Sequence, residues 1–160
     1  IVPVWTMGRI SNDQLNPVVE AVKSGVGIGG CHVGMCDSFR EATEWQFMTG
    51  GQFVAHPGNH LNYRIHIKDH DHPITTGLGD FEVHSEQYYM HVDPNNEVLA
   101  TTTFTGAHAP WIDGHTIPVV WKRHHGKGRV FYSSLGHQAW EFAVPQMRTI
   151  LRRGMLWAAR

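Results

Sequence analysis

Two glycines bracket a single histidine early in the chain, in a pattern that turns a strand sharply into a helix. An apolar run at residues 26–28 leads into Gly30-Cys31-His32-Val33-Gly34, the G-x-H-x-G frame of a nucleophile elbow with histidine in place of Ser or Cys. Flanking glycines allow a sharp turn and, where needed, a positive φ. The frame predicts that His32 stands above the sheet edge, although a glycine-rich turn without a function has the same spacing.

Polar residues that follow other predicted strands are further candidates for chemistry. Open α/β sheets place their sites beyond the carboxyl ends of strands, so residues at those ends are expected to share one crevice. Three imidazoles and one carboxylate there would suit zinc or manganese, with a position left for water or substrate. The candidate metal ligands are His32, His56, Glu86 and His137. No ligand-spacing motif joins them, and each histidine alone is also compatible with a structural hydrogen-bonding role.

Aromatic side chains near Glu86 suggest the wall of a sugar-binding site. The predicted substrate-binding residues are Tyr88, Tyr89, His91 and Trp111. They lie in or near polar turns after strands, where large aromatics are costly to leave exposed unless a ligand or partner covers them. The two tyrosines are equally compatible with packing in the core.

Cys31 offers a different chemistry. As a thiolate it could act as a nucleophile in another register, with His137 as its base. In the G-x-H-x-G frame, however, Cys31 points away from the apex, and a small buried cysteine is the default role. The chain has two cysteines, Cys31 and Cys36, which are too few and too close for a disulfide framework and favour a reducing compartment.

Length and composition limit the class of protein. A chain of 160 residues that is 41% hydrophobic suits one globular domain. A formal net charge of -1 gives no electrostatic reason for a nucleic-acid or membrane-surface partner. Without a membrane-spanning apolar run or a signal peptide, we expect a cytoplasmic protein. The 13 histidines favour a metal or acid-base site without locating it.

The order of predicted elements favours a parallel sheet covered on both faces. Ile1–Trp5 has the composition of a buried strand, and a helix ending at Ser24-Gly25 follows it, starting at Ser11-Asn12-Asp13 or at Asn16-Pro17. The elbow strand and a helix at 37–48 then complete a βαβα pattern. Later elements are strands at 63–68, 81–86 and 97–104, a hairpin of 118–123 with 129–134, and a helix at 146–160.

Several segments taken in order resemble the trehalose-utilisation (ThuA-like) family, a branch of the class I glutamine-amidotransferase-like fold. The similarity covers nearly the whole chain, and no single motif carries it. The segments are Gly50-Gly51-Gln52-Phe53 with His56-Pro57, His72-Pro73-Ile74 with Gly77-Leu78, Phe81 with Glu86-Gln87-Tyr88-Tyr89, Val98-Leu99-Ala100-Thr101, Pro118-Val119-Val120-Trp121, Gly126-Lys127-Gly128-Arg129-Val130-Phe131-Tyr132 with Leu135-Gly136-His137, and Trp157-Ala158.

The resemblance implies a flavodoxin-like, three-layer α/β sandwich with a mostly parallel sheet and an added β-hairpin. It aligns His32 with the amidotransferase nucleophile and His137 with the catalytic histidine of that superfamily. Because no Cys or Ser stands at the apex, glutamine hydrolysis through a thioester should be impossible. The family's domain normally begins a strand, a helix and a strand before Ile1, so we expect residues 1–160 to be one ThuA-like domain that lacks those elements.

The resemblance also implies a role in carbohydrate catabolism. We therefore expect an enzyme that acts on a disaccharide or its keto derivative, possessing His32, Glu86 and His137 as catalytic residues and working beside a sugar dehydrogenase. A metal that polarises the ketone and a base would suffice for enolisation, isomerisation or elimination. We expect a homo-oligomer without a nucleotide cofactor. The alternatives are a non-catalytic sugar-binding or regulatory module and a cysteine hydrolase that uses Cys31.

Overall fold

The computed structural model describes residues 1–159, and Arg160, the last residue of the predicted C-terminal helix, lies outside them. The helices are α1 (Asn12–Ser24), α2 (Val33–Cys36), α3 (Thr43–Thr49) and α4 (Pro145–Ala158). The strands are β1 (Ile28–Cys31), β2 (Gly51–Ala55), β3 (His60–Ile67), β4 (Phe81–Glu86), β5 (Tyr89–Val92), β6 (Glu97–Thr103), β7 (Thr116–His125) and β8 (Gly128–Ser133). None of the helices in this described part is long and apolar enough to cross a membrane.

The six-stranded sheet has the order β1-β8-β7-β6-β3-β4 and is mainly antiparallel. Within residues 1–159, only β1 and β8 pair in parallel, while β2 and β5 form a separate antiparallel pair. The predicted flavodoxin-like sandwich with a mostly parallel sheet is therefore wrong. The physical reason is that residues 51–133 contain seven strands and no α-helix, and parallel neighbours need a long crossover, usually helical.

The first five residues also differ from their prediction. Ile1–Trp5 does not form a buried strand, and the side chains of Val2, Val4 and Trp5 are exposed. Ile1 nevertheless lies beside β1: its amino group donates to Gly27 O at 2.7 Å, and its carbonyl accepts from Gly29 N–H at 3.1 Å. An apolar composition predicted burial, but these residues cover only the edge of the sheet.

The single helix predicted at 37–48 is replaced by α2, a turn and α3. The backbone of the turn is tied to the N-terminal segment, because Met7 N–H donates to Asp37 O at 2.8 Å and Gly8 N–H donates to Ser38 O at 2.7 Å. Other predicted elements agree with the structure. The capping box of α1 uses Ser11, and β7 and β8 form the predicted hairpin.

Strand β8 separates two apolar cores. Val130 and Tyr132 belong to a cluster with residues of α1 and α3, whereas Phe131 belongs to a second cluster with residues of α4. This is the alternation expected of a strand whose successive side chains point to opposite faces. Helices consequently cover both faces of the sheet around β8, and this packing fixes the ends of β1 and β8.

The two edge strands of the sheet, β1 and β4, meet at their carboxyl ends. Five strand spacings would separate these edges by about 24 Å in a flat sheet. Yet the side chains of His32, directly after β1, and Glu86, the last residue of β4, approach within 3.2 Å. The sheet must therefore curl strongly, which closes one end of it around a small group of polar side chains.

Close packing of α4 on β8 gives a prediction about stability. A Cβ added at Gly154 would lie 2.1 Å from the Phe131 ring. Alanine at position 154 improves helix propensity by about 1 kcal/mol, but overpacking a core costs about 1–3 kcal/mol. We expect Gly154→Ala to lower the free energy of unfolding in urea denaturation. Gly79→Ala is the matched control, because its Cβ meets no atom within 4 Å; equal effects of the two substitutions would contradict this packing.

Candidate functional site

His32 occupies a strained turn between β1 and α2. Its backbone has φ 53° and ψ -139°, an uncommon conformation for a residue other than glycine, which costs about 1–3 kcal/mol. Two hydrogen bonds hold it: His32 N–H donates to Ser133 O at 2.7 Å, and the Tyr132 hydroxyl donates to His32 O at 3.0 Å. The turn thus has the strand, apex and helix that the G-x-H-x-G frame predicts.

The flanking glycines of the frame are required for packing rather than for positive φ. A Cβ at Gly30 would lie 2.9 Å from Met35 Cβ, and one at Gly34 would lie 3.0 Å from Pro3 O. Neither glycine has a positive φ; the residue of this frame with a positive φ is His32. The strained backbone at the apex is therefore surrounded by close contacts that keep it in place.

The imidazole of His32 is buried and faces a carboxylate. Its Nδ1 lies 3.0 Å from the Tyr88 hydroxyl, and its Nε2 lies 3.2 Å from Glu86 Oε2. The second contact lacks the alignment of a hydrogen bond, so Nε2 has no hydrogen-bond partner among the described residues. Burial, reinforced by the charges of neighbouring histidines, lowers the pKa of His32 to about 3. A carboxylate at this distance favours the charged ring, but with poor alignment burial decides the direction of the shift.

Glu86 is the centre of the group. Its Oε2 also lies 3.3 Å from His137 Nδ1, and its Oε1 lies 3.9 Å from His56 Nε2. One potential ligand atom from each of His32, Glu86 and His137 lies within 4.8 Å of the others. The structure thus brings together the four residues proposed as metal ligands, with His56 slightly outside the other three.

Strand directions explain why these residues meet. The antiparallel pairings between β8 and β4, added to the parallel pair of β1 and β8, make β1, β8 and β4 run the same way. His32, His137 and Glu86 follow or end these three strands, so they lie at one end of the sheet. Curling of the sheet then brings the β4 end to the β1 end.

Two residues of the site were missed by sequence reasoning, His60 and Glu141. Glu141 is buried, and its Oε2 accepts hydrogen bonds from the Ser85 hydroxyl at 2.7 Å and from His137 N–H at 3.0 Å. Its Oε1 lies 3.7 Å from His60 Nε2. His60 pairs with Glu86 across β3 and β4, and its ring centroid is 4.9 Å from that of His137. Glu141 therefore fixes the loop that carries His137.

No periodic pattern in the sequence indicated these two residues. Glu141 lies in a short 3-10 turn, Ala139–Ala143, that follows no helical or strand repeat. His60 could have been found only from the register of β3 against β4, because register makes it the direct partner of Glu86.

The predicted sugar-binding residues have different positions. Tyr88 is buried against His32, and burial together with the Glu86 charge raises the pKa of its hydroxyl, which stays protonated. Tyr89 is partly buried and packs against Phe104, with 5.9 Å between the two ring centroids. His91 is exposed on β5, in a separate cleft near α3. Trp111 is 79% exposed and makes no aromatic contact or hydrogen bond with the site among the described residues.

Cys31 is poorly placed for nucleophilic chemistry. It is the last residue of β1, and the apex belongs to the next residue, His32. Burial raises the pKa of the Cys31 thiol, which disfavours the reactive thiolate. The geometry thus gives the central position to imidazole and carboxylate groups.

Solved structures with similar folds include two ThuA-like proteins. That from Parabacteroides merdae has a TM-score of 0.80 and 19% identity, with coverage of 99% of this chain and 69% of that chain. That from Bacteroides uniformis has a TM-score of 0.80 and 18% identity, with coverage of 99% and 68%. A β-galactosidase from Bacillus circulans has a TM-score of 0.57 and 16% identity, and the match covers 96% of this chain but 21% of that enzyme. Such low identities show similarity of fold alone.

A search of curated proteins finds no match to the sequence. The model of one protein family, ThuA, described as trehalose utilisation, matches residues 1–158. This match covers nearly the whole chain and agrees with the resemblance carried by the sequence segments. The chain belongs to the ThuA, or trehalose-utilisation, family.

Proposed function

We propose that this ThuA-family protein is an enzyme of carbohydrate catabolism that acts on a disaccharide or its keto derivative. Family membership supports a role related to trehalose utilisation. The observation that carries the enzymatic part is the group formed by buried His32 and Glu86 and the more exposed His137, whose potential ligand atoms lie within 4.8 Å of one another. Imidazole and carboxylate groups that meet at one end of a sheet suit metal binding and proton transfer.

The distances in this group fit a divalent metal such as zinc or manganese. Two ligand atoms held 2.0–2.1 Å from a tetrahedral ion lie about 3.3 Å apart. The contacts of Glu86 Oε2 with His32 Nε2 and His137 Nδ1 are 3.2 Å and 3.3 Å. The Nε2 atom of the neutral His32 ring has no hydrogen-bond partner in residues 1–159, and its other nitrogen is held by Tyr88, as expected for a metal ligand with a fixed tautomer.

In this proposal His32, Glu86 and His137 would hold the metal, and its charge would polarise the sugar carbonyl and make the neighbouring C–H more acidic. Glu86 accepts that proton, and His137, whose side chain is more exposed, exchanges protons with solvent. Tyr88 orients His32 through Nδ1. A ketone substrate would have to be supplied by an oxidation, which is the reason to expect a sugar dehydrogenase beside this enzyme.

Metal content tests the ligand set. We expect the protein purified without chelators to hold about one zinc or manganese ion per chain, and His32→Ala and His137→Ala to lose most of it because each removes a ligand. His124→Ala is the control, because His124 is exposed on β7 and packs against Trp157. Elemental analysis measures the ratio. Absence of stoichiometric metal from the wild-type protein would exclude the metal hypothesis and would leave acid-base chemistry without a metal.

Replacement of Glu86 tests the base. With a keto-disaccharide as substrate, Glu86→Gln should lower kcat at least 100-fold, in the range for loss of a general base, while substrate binding is retained. Incorporation of solvent deuterium next to the ketone reports proton removal directly. Glu97→Gln, which changes a carboxylate on β6, should leave exchange unchanged. Equal binding by wild type and Glu86→Gln, with exchange by neither, would identify a binding module.

The pKa of His32 predicts how stability depends on pH. Below pH 6.5 the unfolded chain protonates this histidine but the folded protein does not, so stability falls as pH falls. Between pH 7.5 and 5.5 the metal-free wild-type protein should lose about 1 kcal/mol more stability than His32→Asn in urea denaturation. His72 and His125, whose pKa values burial also lowers, contribute to both proteins equally. Identical losses would show that His32 is protonated in the folded state.

A further inference from the structure

A polar strip leads away from the site along β3 and β4. Cross-strand partners in an antiparallel pair share a face, and the pairs here are His60 with Glu86, Asn62 with His84 and Arg64 with Glu82. Side-chain contacts link the outer pairs: His84 Nδ1 lies 2.8 Å from Asn62 Oδ1, and Arg64 donates to Glu82 at 3.4 Å. Imidazole, amide, guanidinium and carboxylate groups thus extend the site outward.

An exposed tryptophan lies against one histidine of this strip. Trp140 is 56% exposed, and its ring lies nearly parallel to that of His84, at 6.1 Å and an interplanar angle of 27°. The tryptophan precedes Glu141, the buried carboxylate that fixes the loop of His137. The position of Trp140 therefore depends on the backbone next to Glu141 and on the packing of its ring against His84.

A groove of about 730 Å³ lies beside Trp140. It is lined by Asn62, His84, Trp140 and Glu141 and by the apolar residues Val83 and Met147. The volume falls within the range of small-molecule sites, roughly 300–1,000 Å³. A pyranose ring has an apolar C–H face and an edge of hydroxyl groups, and the groove offers an aromatic ring and apolar side chains beside hydrogen-bonding side chains.

We propose that this groove binds the second sugar ring of a disaccharide whose first ring lies at His32, Glu86 and His137. Two residues along a strand span about 7 Å, so the step from Glu86 to His84 is close to the length of one sugar unit. Trp140 stacks on the second ring, and Asn62 and His84 bind its hydroxyl groups. This subsite deepens the proposed function and rests on it for the position of the first ring.

Calorimetric titration with trehalose and glucose tests the subsite. The wild-type protein should bind trehalose more tightly than glucose. Trp140→Ala should weaken trehalose binding about tenfold and change glucose binding less than twofold, because only the disaccharide reaches the indole. Trp140→Phe, which keeps an aromatic face, should retain most of the affinity. The control is Phe47→Ala, since Phe47 is 60% exposed but packs near His125, outside the groove.

The outcomes separate the subsite from the reaction. An unchanged ratio of trehalose to glucose affinity in Trp140→Ala, or no binding of either sugar by the wild-type protein, would overturn the subsite. Loss of affinity for both sugars together would also overturn it, because that result assigns Trp140 to the folding of the site. If Glu86→Gln keeps full turnover while Trp140→Ala still loses selectivity for the disaccharide, the proposed chemistry fails and the subsite stands.

Discussion

The site depends on one buried contact, that of the neutral His32 ring with the Glu86 carboxylate. The two atoms lie 3.2 Å apart without a hydrogen bond, and His32 has a positive φ. An unsatisfied buried polar atom costs about 1–3 kcal/mol, and a strained backbone costs about as much again. Packing of β1 and β8 against two cores offsets both costs. A fold that maintains two such penalties at one residue is expected where that residue binds or reacts.

The contact also constrains the shape of the sheet. Glu86 belongs to one edge strand and His32 follows the other, so a flatter sheet would separate them. Only a sheet curled through its antiparallel pairs closes the site, and the same antiparallel pairs give β4 the direction of β1. Strand direction and curl, rather than any local motif, therefore assemble the group.

Local structure was predictable from the sequence because local rules control it. Glycine spacing predicted the turn at His32, alternation predicted β3, and a basic glycine turn predicted the hairpin of β7 and β8. Pairing was not predictable in this way. Alternation shows that a segment is a strand, but it does not show which strand pairs with it or in which direction. The prediction of a mostly parallel sheet was therefore wrong.

The candidate site shows the same division. Four polar residues follow predicted strands, and the structure places them near one another, while their chemical roles stay a prediction; they are His32, His56, Glu86 and His137. His60 reaches the site because the register of β3 against β4 makes it the partner of Glu86. Glu141 reaches it from a 3-10 turn whose sequence has no periodic pattern. Neither signal exists in a single sequence before the sheet is assembled.

Strand β4 joins the stability of the fold to the position of the site. Phe81 and Val83 point into the core, and Glu82, His84 and Glu86 point to the opposite face. Since the side-chain period of a strand is two, a slip of one residue would bury the carboxylates and expose the apolar side chains. The hydrophobic pattern that packs β4 in one core with α4 therefore also keeps Glu86 on the face where it meets His32. Any substitution that shifts this register moves Glu86 and the polar strip together.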